Sequence, residues 1–221
     1  MCDRWELEDA DGNPLKPLAT PESKVIAPAS VYALSKYDQE RLCLTIGEAY
    51  QIPTVAMRFF NVYGPRQALS NPYTGVLAIF ASRLITGASP MIFEDGLQQR
   101  DFVNVHDLAR ACRLALETPE AAYQVFNVGS GQRVSIIEVA RQMAEVLGRE
   151  DLRASVLHKF RAGDIRHCFA DISRAQQVLG YTPQVDFKQG LSELAEWLTE
   201  QSVVDRSGSA REALEARGLV V

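Results

Sequence analysis

The chain has 221 residues, 47% of them hydrophobic and 23% charged, and carries a formal net charge of -5. That is an ordinary globular composition, enough for one substantial core or for a core and a small lobe. Acids and bases are interspersed, which argues against a general nucleic-acid or anionic-membrane surface, and no apolar run approaches the roughly 18 residues of a membrane span.

Residues 1–28 are polar and punctuated by Pro14, Pro17, Pro21 and Pro28, so they read as a surface loop. Their start, MCDRWELEDADGNP, is acidic and has no apolar stretch of the signal-peptide kind. A helix is expected from about Ser30 to Tyr50, with Val31, Leu34, Leu42, Leu44 and Ile46 as its apolar positions. Pro53 ends it, and TVAMRFF (54–60) reads as a buried strand running into the turn NVYGP. Helical spacing returns over Val76–Ile85, PMIFEDG suggests a short strand and turn, and RDFVNV (100–105) suggests another strand. His106–Leu116 reads as a helix with Asp107 near its positive end. YQVFNVGSG (123–131) is a strand leading to a glycine-rich turn, and Ser135 with Glu138 has the spacing of a capping box. Two further helices are expected around Ser173–Leu179 and Phe187–Gln201, followed by a polar tail. The alternation of strands and helices indicates an α/β fold with parallel strands.

The four cysteines, Cys2, Cys43, Cys112 and Cys168, are far apart and form neither a CxxC pair nor a cluster with histidine. They read as buried reduced thiols, which favours a cytoplasmic setting over a disulfide scaffold or a zinc site. No metal site is expected.

Tyr32 and Lys36, in YALSK (32–36), stand four apart and so share one helix face. Tyrosine in water ionises near pH 10 and is a poor base at neutral pH, and a fixed positive charge beside it favours the phenolate. Seven tyrosines and five lysines also leave room for such a spacing by accident. A strand followed by GxGxxG and an acidic residue about 20 positions on would mark a dinucleotide-binding half. The chain contains nothing of that kind, and its one short glycine turn, GSGQ (129–132), is weak evidence for phosphate binding.

Five segments in order, PASVYALSK (28–36), MRFFNVYGPRQ (57–67), QQRDFVNVHDLARA (98–111), FNVGSGQRVSI (126–136) and RAGDIRHCFADIS (161–173), resemble the extended short-chain dehydrogenase/reductases, specifically the NAD-dependent nucleotide-sugar epimerases and dehydratases. The resemblance implies a Rossmann-like parallel sheet, of which the chain carries the C-terminal part, plus a smaller α/β substrate-binding lobe. It divides the chain into a loop (1–28), a remnant of the NAD-binding domain with the Tyr-Lys helix (29–75), a substrate lobe interleaved with returning Rossmann elements (76–205) and a tail (206–221).

On matching residues, the resemblance makes Tyr32 the catalytic acid/base and Lys36 the holder of the nicotinamide ribose. It puts the main chain of Phe59 near the nicotinamide and leaves Phe60 as core. Asn61 would face the sugar-diphosphate, although an asparagine before a turn can also bond its own backbone. Arg100 and Arg161 would grip the diphosphate, Asp164 would take the nucleotide ribose, and Phe93 would stack on the base or else fill a strand core. A guanidinium fork suits phosphate oxygens, and a carboxylate suits ribose hydroxyls.

NAD is the implied cofactor, a UDP- or dTDP-hexose the implied substrate, and a homodimer through the Tyr-Lys helix the implied assembly. The upstream Ser/Thr of the family's triad is not found in residues 1–28, and with the glycine loop also missing the chain alone is expected to be inactive and to bind NAD negligibly. Three readings stay open: a 4-epimerase, a 4,6-dehydratase, and a non-catalytic binding or dimerisation module.

Overall fold

The computed structural model describes residues 5–68, 75–160, 163–201, 215–216 and 218. In chain order the elements are α1 (Val31–Ala49), β1 (Ala56–Phe59), β2 (Asn61–Tyr63), α2 (Val76–Ile85), β3 (Met91–Ile92), β4 (Gln99–Arg100), β5 (Phe102–Asn104), α3 (Val105–Glu117), β6 (Val125–Val128), β7 (Val134–Ser135), α4 (Ile136–Val146), β8 (Ser155–Val156), α5 (Ser173–Leu179) and α6 (Phe187–Thr199). β1 pairs with β6, β2 with β5 and β3 with β8, all parallel, while β4 and β7 are antiparallel. The fold is α/β with parallel strands, as the sequence indicates.

The expected strand 54–60 is shorter, and it is not a buried run. β1 begins at Ala56, its first three residues are only partly buried, and Phe59 is 49% exposed. At Phe60 the chain changes partner. The Phe60 N–H still bonds Val128 of β6, but the Asn61 N–H bonds the Asp101 carbonyl and β2 continues along β5. Asn61 is therefore a strand residue rather than the start of a turn. The expected strand 100–105 divides in the same way, because Asp101 separates β4, which faces β7, from β5, which faces β2.

Two apolar clusters lie on either side of that change of partner. Phe126 and Val128 of β6 pack with Ala111 and Ala115 of α3 and with Ala175 and Leu179 of α5, and Phe60 fits against them. Tyr63 and Phe102 pack instead with α2, α4 and α6 through Phe80, Leu84, Val139, Met143, Leu191, Leu194 and Leu198. Burying each such large side chain contributes about 1.5–3 kcal/mol.

Helix ends follow local chemistry. Ser30 caps α1 through the Ala33 N–H, Asn104 caps α3 through the His106 N–H, and Asp186 caps α6 through the Lys188 and Gln189 N–H groups. The Ser135 hydroxyl caps α4 at the Glu138 N–H, but only half of the expected box forms: the Glu138 carboxylate pairs with Arg141 and Gln142. Asp107 does more than face the helix dipole. It is buried, pairs with Arg110 at 2.8 Å and accepts the N–H groups of Gln184 and Val185, which fixes the approach to α6.

α1 departs from its expected orientation. Val31, Leu34, Leu42 and Ile46 are exposed and only Leu44 of the expected set is buried. The inward stripe is Ala33, Tyr37, Glu40, Leu44 and Gly47. Glu40 belongs in it because Arg58 of β1 meets it bidentately at 2.7 and 2.8 Å and also donates to the Glu22 carbonyl. Gly47 lets the helix end close on the turn at Ile52–Thr54, where a Cβ would collide with the Thr54 side chain. The thiols are a further correction: Cys43 lies exposed on this helix, and Cys112 and Cys168 are only partly buried. Cys2 is outside the described residues. Among the described residues, no helix is long and apolar enough to cross a membrane.

Candidate active site

Tyr32 and Lys36 stand on the outer face of the first turns of α1. The Lys36 Nζ lies 5.6 Å from the centroid of the Tyr32 ring and donates to the Gln39 Oε1 at 3.4 Å. The Ser35 hydroxyl bonds back to the Tyr32 carbonyl, and 56% of Tyr32 is exposed. The helix reaches the sheet through Glu40 and Arg58, next to Phe59. Phe59 ends β1 opposite Val128, at the carboxyl end of a parallel pair where open α/β sheets present their ligands.

Asn61 and Arg100 are placed near each other by the β2–β5 pairing, and Arg100 reaches the segment that follows Asp164. Asn61 sits opposite Phe102 and takes the carbonyl of Asp101, next to Arg100. The Arg100 guanidinium donates to the carbonyls of Gln99 (2.9 Å), Arg166 (2.9 Å) and Ile165 (2.5 Å), so its direction is set by the segment that follows Asp164. Arg100 also bridges to Cys168, and the Gln99 carbonyl accepts the Cys168 N–H.

Phe93 opens a tight turn closed by Gln98, whose side-chain amide donates to the Phe93 carbonyl at 3.0 Å. Glu94 in that turn holds a left-handed backbone (φ 55), which a non-glycine residue tolerates only when its surroundings impose it. Here its N–H bonds Lys159 and its carbonyl accepts from His158. Arg161 lies outside the described residues.

Two groups of residues escaped the sequence reading. Asp101 is fully buried, and its carboxylate accepts the N–H groups of Ser130, Gly131 and Ala170 together with the Ser130 hydroxyl. Burial pushes this carboxyl above its ordinary 3.8, against the pull of those donors. The glycine turn 129–131 is thus a nest filled by the protein's own carboxylate. It does not fit the diphosphate of a dinucleotide, whereas the chemistry of Tyr32 and Lys36, a phenol and an ammonium on one helix face, suits the nicotinamide-ribose end.

The second group surrounds Arg166, whose guanidinium meets Glu6, Glu94 and Asp95. Desolvation alone would raise the carboxyls of Glu6 and Asp95. The hydrogen bonds outweigh it, from His167 and Arg166 at Glu6 and chiefly from Arg166 at Asp95, and both are held below their ordinary values. Arg166 and His167 fall inside RAGDIRHCF, but their partners lie 68 to 161 residues away, and no local pattern announces them.

Residues 10–129, more than half of the chain, match the family model described as NAD dependent epimerase/dehydratase family. A dTDP-L-rhamnose 4-epimerase of Burkholderia thailandensis is 38% identical over 175 residues, which is 79% of this chain and 47% of that protein. A dTDP-glucose 4,6-dehydratase of an Actinoplanes species is 31% identical, over 80% of this chain and 53% of its own length. The crystal structure of UDP-glucuronic acid 4-epimerase from Bacillus cereus, in complex with UDP-glucuronic acid and NAD, superposes with a TM-score of 0.76 at 29% identity, covering 84% of this chain and 57% of that one. The chain spans about half the length of the curated relatives it matches. By family model, sequence identity and fold together, the chain belongs to the NAD-dependent epimerase/dehydratase family.

Proposed function

We propose that the protein inverts C4 of a UDP- or dTDP-hexose. The observation that carries this reading is the Tyr32–Lys36 pair, set on one exposed helix face with the ammonium 5.6 Å from the phenol ring, in a chain 38% identical to a dTDP-L-rhamnose 4-epimerase.

The residues divide the work by chemistry. Arg100, with Arg161, takes the diphosphate through its guanidinium fork. Asp164 accepts the ribose hydroxyls, Phe93 stacks on the base, and Asn61 bonds near the sugar-diphosphate junction. Tyr32 receives the proton of the C4 hydroxyl and later returns one, while Lys36 holds the nicotinamide ribose and favours the phenolate. NAD, when bound against Phe59, supplies the hydride acceptor and donor for C4. With the nucleotide diphosphate held by the arginines, the 4-keto hexose turns over and exposes its other face. The exposed apolar residues Val31, Leu34, Leu42 and Ile46 of α1 support a homodimer through this helix, and the free thiols among the described residues suit a cytoplasmic setting.

The test is turnover by the protein as its gene encodes it, with NAD and with dTDP-L-rhamnose or UDP-glucuronic acid, followed by proton NMR of C4. A mixture of C4 epimers is expected, formed about 10²–10⁴-fold more slowly by Tyr32→Phe. No inversion of either sugar, or a Tyr32→Phe variant as fast as the parent, defeats the reading. The likeness to a 4,6-dehydratase adds dTDP-glucose as a third test substrate, since elimination would remove its C6 hydroxyl.

A further inference from the structure

Behind Arg100 lies a set of side chains to which the proposed chemistry gives no role. The His167 Nε2 is 2.8 Å from the Glu6 Oε2, and its Nδ1 accepts the main-chain N–H of Gln99 at 3.2 Å. A ring nitrogen that accepts an N–H must present a lone pair, so the neutral ring carries its proton on Nε2 and donates it to Glu6. Glu6 also takes the Arg166 Nε and Nη2 at 3.0 and 2.5 Å, and Arg166 continues to Glu94 and Asp95. The segment 165–168 is thereby fixed by its side chains, and it holds both main-chain polar groups of Gln99 along one edge of β4. His167 takes the Gln99 N–H and Cys168 donates to the Gln99 carbonyl, while the carbonyls of Ile165 and Arg166 carry the Arg100 guanidinium.

We propose that His167, oriented by Glu6, is a positioning residue for Arg100: the ring sets where β4 lies and so where the guanidinium is aimed. This rests on the reading of Arg100 as a diphosphate ligand. The strand does not depend on His167 to form, because β4 also pairs with β7 and bonds Cys168. Loss of the ring should therefore shift the aim of Arg100 without unfolding the chain.

The experiment titrates the 221-residue chain calorimetrically with UDP and with uridine. Their affinity ratio isolates the contribution of the phosphates, whereas a merely structural defect weakens both ligands alike. His167→Ala should lower UDP affinity about tenfold, the scale of one charge-assisted hydrogen bond, and leave uridine binding unchanged. His167→Asn, whose side-chain oxygen can stand near the Nδ1 position, should recover most of the loss. An unchanged UDP/uridine ratio in His167→Ala, beside a ratio that collapses in Arg100→Gln, overturns the proposal. An unchanged ratio in Arg100→Gln removes the phosphate reading of Arg100 instead. Long-range ¹H–¹⁵N NMR of the imidazole provides a check independent of ligand: a proton on Nε2 is expected, and one on Nδ1 would overturn the proposal.

Discussion

The Asp101 Oδ2 lies 2.5 Å from the point where Gly129 would carry a Cβ, with the Ala170 methyl 2.8 Å away on another side. The carboxylate can reach into the turn because that position has no side chain. Gly129→Ala should drive Asp101 out of its nest and cost about 1–3 kcal/mol, seen as a melting temperature lower by several degrees. UDP affinity should fall with it, because Asp101 adjoins Arg100. An alanine variant that melts with the parent would show the nest to be looser than these distances imply.

Arg166 gives a prediction whose size depends on pH. Glu6 and Asp95 have carboxyls held below their ordinary 4.5 and 3.8, so their contribution is present above those values and is lost as pH falls through the depressed ones. Arg166→Leu leaves three carboxylates facing one another, with Glu94 buried among them. At pH 7 the variant should be less stable by about 3–5 kcal/mol, and the gap should narrow as the pH is lowered to about 3 and the acids are neutralised. Urea melts at several pH values measure this. A gap that stays constant would mean that the cage acts through packing alone.

Thiol chemistry should sort the cysteines by position. In a Cys2→Ser background Cys43, exposed on α1, should react with an aromatic disulfide reagent within seconds to minutes, while Cys112 and Cys168 lag. Burial pushes both slower thiols above the ordinary 9.0 and disfavours the reactive thiolate. Peptide mapping of the first labelled site decides it, and early labelling of Cys168 would mean that the segment beside Arg100 opens readily.

Helix positions were largely legible in the sequence: α2 and α5 begin and end where their spacing predicts. Which face turns inward was not, and α1 shows why. Periodicity identifies apolar residues but not the surface available to cover them, and here β1 backs a stripe that contains Glu40, paired with an arginine 18 residues away. The break at Phe60 was hidden for a related reason, since a continuous apolar run does not record a change of strand partner. Tyr32, Lys36 and Arg100 could be put forward as candidates from motifs, whereas the cluster of Glu6, Arg166 and His167 depends on contacts across 160 residues that only the fold creates.

Gly47→Ala should be felt at a distance. A methyl there meets the Thr54 side chain and approaches the Ile52 carbonyl at 3.0 Å, which would push the end of α1 away from β1 and cost about 1–3 kcal/mol. If Tyr32 acts as proposed, kcat should fall more than this modest loss of stability suggests, with UDP affinity unchanged. Equal losses in kcat and UDP affinity would count against the separation of the two groups of site residues.

The geometry of α1 makes it a lever. Its fulcrum is the contact of Glu40, Leu44 and Gly47 with β1 and the turn after the helix, and Tyr32 rides eight residues beyond, about 12 Å along the axis. A tilt of only about 5° at the fulcrum would sweep the phenol through about 1 Å, a displacement that can cost a hundredfold in rate. Whatever settles against the outer face of this helix therefore calibrates the tyrosine proposed as the acid/base as well as covering apolar surface.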